Sequence, residues 1–168
     1  FTVAMWSFND STKLGLDDSG NNNSLTLYGT ATASSDSPYS TGSSLDFDGT
    51  SYARVSPSAS LNPTSGSITV TVWIKDSGIS QQPTPPGCAH MVYDPDVFGI
   101  TSTCNSVWIN NARGVSGRKS VGTAGLFDID KWTNVALTYD KTTGDVIVYK
   151  NGKQFKRQNV LPSGTSIY

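Results

Sequence analysis

Positions 67 to 75 alternate without a break, with Ile68, Val70, Val72 and Ile74 on one side and Thr69, Thr71, Trp73 and Lys75 on the other. A period of two over that length predicts a half-buried β-strand. The stretch Trp132 to Asp140 repeats the pattern, setting Val135, Leu137 and Tyr139 against Asn134, Ala136 and Thr138. Lys141-Thr142-Thr143-Gly144 interrupts it, and Val146, Ile147, Val148 and Tyr149 resume it, which predicts a β-hairpin with a multi-residue loop. Asn151-Gly152 follows at once, the pair best suited to the two positive-φ positions of a type I′ turn. A third strand is therefore expected to run back through Gln154, Phe155 and Lys156.

Shorter signals precede this meander. Val3 to Phe8 and Leu25 to Tyr28 read as strands separated by the turn-rich loop Leu16 to Asn23. Ser34 to Ser44 is a polar connection, followed by Leu45, Phe47 and a tight turn at Asp48-Gly49 into Tyr52, Arg54 and Val55. Strands of similar length with frequent turns predict an all-β, two-sheet antiparallel sandwich of the jelly-roll kind. The run Gln81-Gln82-Pro83-Thr84-Pro85-Pro86 cannot occupy a central strand. It is expected to belong to a surface insertion spanning about 76–107.

Composition sharpens this picture. All 13 acidic residues are Asp and none is Glu, which together with abundant Ser and Thr disfavours helices. The 168 residues suit a single sandwich domain over 1–168. A formal net charge of -1, with scattered basic residues, lacks the basic footprint that nucleic-acid binding requires. Lys153, Lys156 and Arg157 read as a solvated strand end. No apolar run reaches the roughly 18 residues of a membrane-spanning helix. The chain starts at Phe1 without a charged and apolar leader, as expected of a processed protein or of a piece cut from a longer one.

Cys88 and Cys104 are the sole cysteine pair and flank the least regular stretch. A bond between them is expected, closing a loop of about 15 residues for which a bridge contributes roughly 3 kcal/mol. Asn9-Asp10-Ser11 and Asn22-Asn23-Ser24 are glycosylation sequons, so glycan is expected on Asn9 or Asn22, whereas Pro63 blocks the sequon at Asn62. These features point to a secreted or cell-surface protein.

The ordered series Trp6-Ser7-Phe8, Asp17-Asp18-Ser19-Gly20-Asn21, Leu45-Asp46-Phe47-Asp48-Gly49, Ile68 to Lys75, Lys131 to Asp140 and Val148 to Lys153 resembles the laminin G-like, concanavalin A-like lectin superfamily, including its pentraxin-related branch. The resemblance covers about positions 3 to 155 and leaves 76–107 unmatched. It implies a jelly roll of two curved antiparallel sheets that binds glycans or protein partners, frequently with Ca²⁺. The family usually closes with further strands after a second Asn-Gly-like turn, and the sequence ends at Ile167-Tyr168 before such a segment. The expectation is that a segment outside 1–168 completes the sheet, from the same polypeptide or from a neighbouring copy.

The chemistry follows from what is present. Glucanases on this fold use a Glu pair, which the sequence lacks, and Asp46 and Asp48 belong to the structural turn of the resemblance, so no enzyme is expected. His90 is the sole histidine, excluding a multi-histidine metal site within one chain, and is expected in a loop or facing a partner. Asp17, Asp18, Asn21 and Asn23 offer closely spaced oxygens to Ca²⁺, with Asp94 and Asp96 as a second pair. The same residues also build self-capped turns. Tyr93, Trp108, Asn110, Asn111 and Arg113 combine aromatic faces with hydrogen-bonding groups, as glycan recognition requires. Trp6, Trp73 and Trp132 are expected in the core, and Trp108 is open to either role. The leading expectation is an extracellular recognition module for glycan or protein partners. The alternative is a structural subunit of a fibre or surface assembly, self-assembled by strand pairing between copies.

Overall fold

The computed structural model describes residues 2–62, 66–78, 90–94, 97–102, 106–109 and 118–167, divided into two compact units, Phe1–Asn62 and Pro63–Tyr168. Strands β1 (Leu25–Tyr28), β2 (Thr32–Ser34), β3 (Ser44–Asp46) and β4 (Tyr52–Val55) belong to the first unit. The second holds β5 (Ile68–Lys75), β6 (His90–Asp94), β7 (Phe98–Thr101), β8 (Ser106–Ile109), β9 (Lys119–Gly122), β10 (Trp132–Asp140), β11 (Asp145–Lys150) and β12 (Lys153–Asn159).

In the first unit β1 pairs with β4 and β2 with β3, all antiparallel. The Asp48-Gly49 turn therefore does not join a hairpin. Gly49 sits at φ +86° and Asp48 caps the backbone of Thr50 and Ser51, but the strands on either side take different partners. Val3 to Phe8, expected as a strand, forms none. Its backbone and side chains are held by the loop at 17–23 through Met5 N to Asp17 and Trp6 Nε1 to the Asn23 carbonyl, and Phe8 adopts φ +56°.

The second unit is a sandwich. One antiparallel sheet has the order β12-β11-β10-β5 and the other β6-β7-β8-β9. The alternation read from the sequence sets the facing: Val135, Leu137 and Tyr139 of β10 and Val146 and Val148 of β11 share one core with Ile100, Val107, Ile109 and Val121 of the second sheet. Burying each such side chain contributes about 1.5–3 kcal/mol. The Asn151-Gly152 turn has φ +50° and +75°, as a type I′ hairpin demands. Every residue of β12 is exposed.

The 76–107 stretch is not simply a surface excursion. Positions 90–107 carry β6, β7 and the start of β8, and Ile100 and Val107 are fully buried. Trp73 is likewise not a core residue: strand parity turns it away from Ile74, and it is 37% exposed. Trp6 and Trp132 are half-buried, while Trp108 is 1% exposed. Cys88 and Cys104 lie outside the described residues. No helix among the described residues is long and apolar enough to cross a membrane.

The β10–β11 loop depends on Gly144, at φ +78°, whose carbonyl accepts hydrogen bonds from Val160 and Leu161. A methyl group there would overlap the Leu161 carbonyl oxygen. Gly144→Ala is expected to lower stability by about 3 kcal/mol or more, through steric overlap and left-handed strain together. Urea unfolding followed by tryptophan fluorescence measures it.

Candidate functional site

A row of cross-strand partners crosses the second sheet: Tyr93 opposite Gly99, Gly99 opposite Trp108, and Trp108 opposite Ser120. The adjacent row, Val92, Ile100, Val107 and Val121, enters the core. Because successive side chains alternate, the first row projects from the opposite face. Gly99 gives the indole of Trp108 room to lie across β7, since a Cβ at that position would collide with Trp108 Cε2, Nε1 and Cζ2.

Three groups gather on that indole. The Tyr93 ring meets it edge-on at 5.9 Å, and the His90 ring does so at 6.5 Å. His90 also stacks on Tyr93 at 4.5 Å with a 25° interplanar angle. The Arg118 guanidinium carbon lies 4.1 Å from the indole centroid, a cation–π contact. Trp108 is buried, and its Nε1 has no hydrogen-bond acceptor among the described residues. Tyr93 remains 49% exposed, and His90 and Arg118 are exposed. Partial burial, then the charge of Arg118, hold His90 below its ordinary pKa, so its imidazole is neutral at pH 7.

The structure thus brings Tyr93 and Trp108 together. Asn110, Asn111 and Arg113 lie outside the described residues. His90, expected in a loop or facing a partner, lies at the start of strand β6 and is exposed, and both it and Arg118 join the cluster unforeseen. The available signal was parity: Arg118, Ser120 and Gly122 alternate with Lys119 and Val121, a short strand pattern.

The loop at 17–23, in the first unit, is built differently. Asp17 accepts backbone hydrogen bonds from Met5 and Ser19 at 2.9 Å each and from Asn23 at 2.8 Å. Asp18 accepts from Ser7, and Asn21 donates to the carbonyls of Thr2 and Val3. Asn23 donates to Val3 and Ser60 while its Oδ1 accepts from Ser58 and Ser60. Asp17 and Asn23 thus brace the turn through the chain's own backbone and hydroxyl groups. Asp94 caps the Val97 N–H, and Asp96 lies outside the described residues. Among the described residues no three His, Cys, Asp or Glu side chains gather as metal ligands would. Asn9 and Asn22 are both exposed.

Two outcomes follow. Gly99→Ala is expected to displace the Trp108 indole and expose it, read as a red shift in tryptophan emission and a lower Tm. Burial works to raise the Asp17 carboxyl, but hydrogen bonds from Met5, Ser19 and Asn23 outweigh it and hold the pKa well below the usual range. A depressed carboxyl contributes stability that is full above its unfolded value of about 3.9 and is lost as pH falls toward the folded value. Asp17→Asn should therefore lower Tm at pH 6 and flatten the loss of Tm on acidification, as calorimetry from pH 6 to pH 2 would show.

Comparison with known proteins places the fold. Domain 4 of AbnA, a GH43 extracellular arabinanase from Geobacillus stearothermophilus, solved in complex with arabinotriose, is similar to the chain with a TM-score of 0.64 and 21% sequence identity. The similarity covers 98% of this chain and 78% of that one. No curated protein sequence matches. The family model described as the concanavalin A-like lectin/glucanases superfamily matches residues 47–166, more than half of the sequence. With the two-sheet antiparallel sandwich of its second unit, the chain belongs to the concanavalin A-like lectin/glucanase superfamily.

Proposed function

We propose that the protein is an extracellular glycan-recognition module that does not itself cleave its ligand, and that it binds through the outward face of the β6–β9 sheet. The observation that carries this reading is the exposed, mutually stacked Tyr93–His90 pair, set on a rigid sheet beside Trp108. A sugar presents an apolar C–H face to an aromatic ring and a hydroxyl rim to polar groups, and the pair meets both needs with the Tyr93 hydroxyl and imidazole nitrogens at its edge. Membership of a lectin-like superfamily, and the arabinotriose complex of the structural neighbour, support the same ligand class. The lack of Glu throughout the sequence supports the non-catalytic part.

Self-assembly by strand pairing has less support. The β12 edge presents Lys153, Lys156 and Arg157 along a fully exposed strand, and charges so placed oppose the docking of another strand.

A glycan array that includes arabinotriose is expected to give binding without release of shorter sugars. Tyr93→Ala should weaken the strongest hit about tenfold, the usual cost of truncating an aromatic anchor. Absence of any glycan hit, or equal affinity of wild type and Tyr93→Ala by titration calorimetry, would sink the proposal.

A further inference from the structure

Arg118 differs from three other cations among the described residues. Lys13 is salt-bridged to Asp10, Lys150 to Asp128 and Arg157 to Asp145. Arg118 instead lies on the Trp108 ring, and among the described residues no carboxylate pairs with it. A cation–π contact of this kind engages one side of the guanidinium. Arg118 is exposed, and the N–H groups of such a guanidinium can donate two parallel hydrogen bonds, the geometry that fits a carboxylate or a sulfate.

The surroundings favour the same charge. The outward positions of the sheet are His90 and Tyr93 on β6, Gly99 and Thr101 on β7, Ser106 and Trp108 on β8, and Ser120 and Gly122 on β9. None is acidic. In a chain of formal net charge -1, this face carries a cation and a histidine with no opposing anion among the described residues. Tyr93 and Arg118 both touch the same indole, so a sugar seated on Tyr93 brings its ring substituents to the guanidinium.

We infer that this face selects glycans bearing an anionic group, a uronate carboxylate or a sulfate ester, and that Arg118 contacts that group. The inference rests on the glycan-binding reading above. His90 adds a pH dependence. Tyr93, Trp108 and Arg118 face it from its own and the neighbouring strands, and its register partner Thr101 is uncharged. The imidazole is neutral at pH 7 and gains a proton as pH falls. A bound anion raises its pKa, so binding takes up a proton and tightens on acidification, while a uronate stays ionised above about pH 4.

The test is calorimetric titration of the full chain with trigalacturonate, its methyl ester, a sulfated galacto-oligosaccharide and arabinotriose, at pH 7 and pH 5. Trigalacturonate should bind about tenfold tighter than its uncharged ester, the scale of one charge-assisted pair. That ratio should widen at pH 5. Arg118→Gln should bring it to about one, and Arg118→Lys, which keeps the charge without the planar fork, should fall between, with melting curves confirming that both variants fold. The sulfated sugar decides the source of the charge: tighter than trigalacturonate assigns a sulfate ester, weaker a carboxylate. Equal binding of acid and ester at both pH values overturns the inference and leaves the glycan-binding reading standing. Binding of none of the four sugars removes both. An acidic preference that survives Arg118→Gln overturns the assignment to Arg118.

Discussion

Burial of the β10 stripe, Val135, Leu137 and Tyr139, is the interaction on which the second unit depends. β10 lies between β5 and β11 and pairs with both over most of its length. A one-residue slip against either neighbour would turn these side chains to solvent and bring Asn134 and Thr138 inward, so the register is strongly specified. The same stripe supports Ile100, Val107 and Val121 from the other sheet. Their inward direction compels Tyr93, Gly99 and Trp108 to point outward. The aromatic face is thus a consequence of the core.

Much of this architecture was legible in the sequence. β5, β10, β11 and the Asn151-Gly152 turn were readable because each has long, unbroken alternation or a turn with one good chemical solution. β6 to β9 were not. They span four or five residues each, too short for alternation to set them apart from the turns around them. Val3 to Phe8 failed in the opposite sense: its strand-like pattern exists, but Asp17 and Asn23 satisfy this backbone and indole through side chains and carbonyls in place of a ladder. Asp48-Gly49 is a real turn whose flanks pair elsewhere, a tertiary choice that local chemistry does not encode.

The site was half legible for a related reason. Tyr93 and Trp108 stand out as aromatic residues near polar neighbours, but their meeting depends on register and on the missing side chain at Gly99. Arg118 lies 10 residues beyond Trp108 in the sequence, and only the β8–β9 pairing brings it back over the ring. The acidic residues show the converse. With Asp throughout and no Glu, each carboxylate sits on a short stem close to the backbone, and Asp17, Asp48 and Asp94 brace turns.

The Arg118–Trp108 stack has a consequence for mobility. A free arginine side chain samples many rotamers, and immobilising one on contact with a partner costs on the order of 1 kcal/mol or more in lost entropy. Here the indole, itself wedged over a glycine and walled by Tyr93, restrains the guanidinium in advance. Much of that ordering is then charged to folding, where a large core offsets it, and little of it is left to oppose an encounter at the surface.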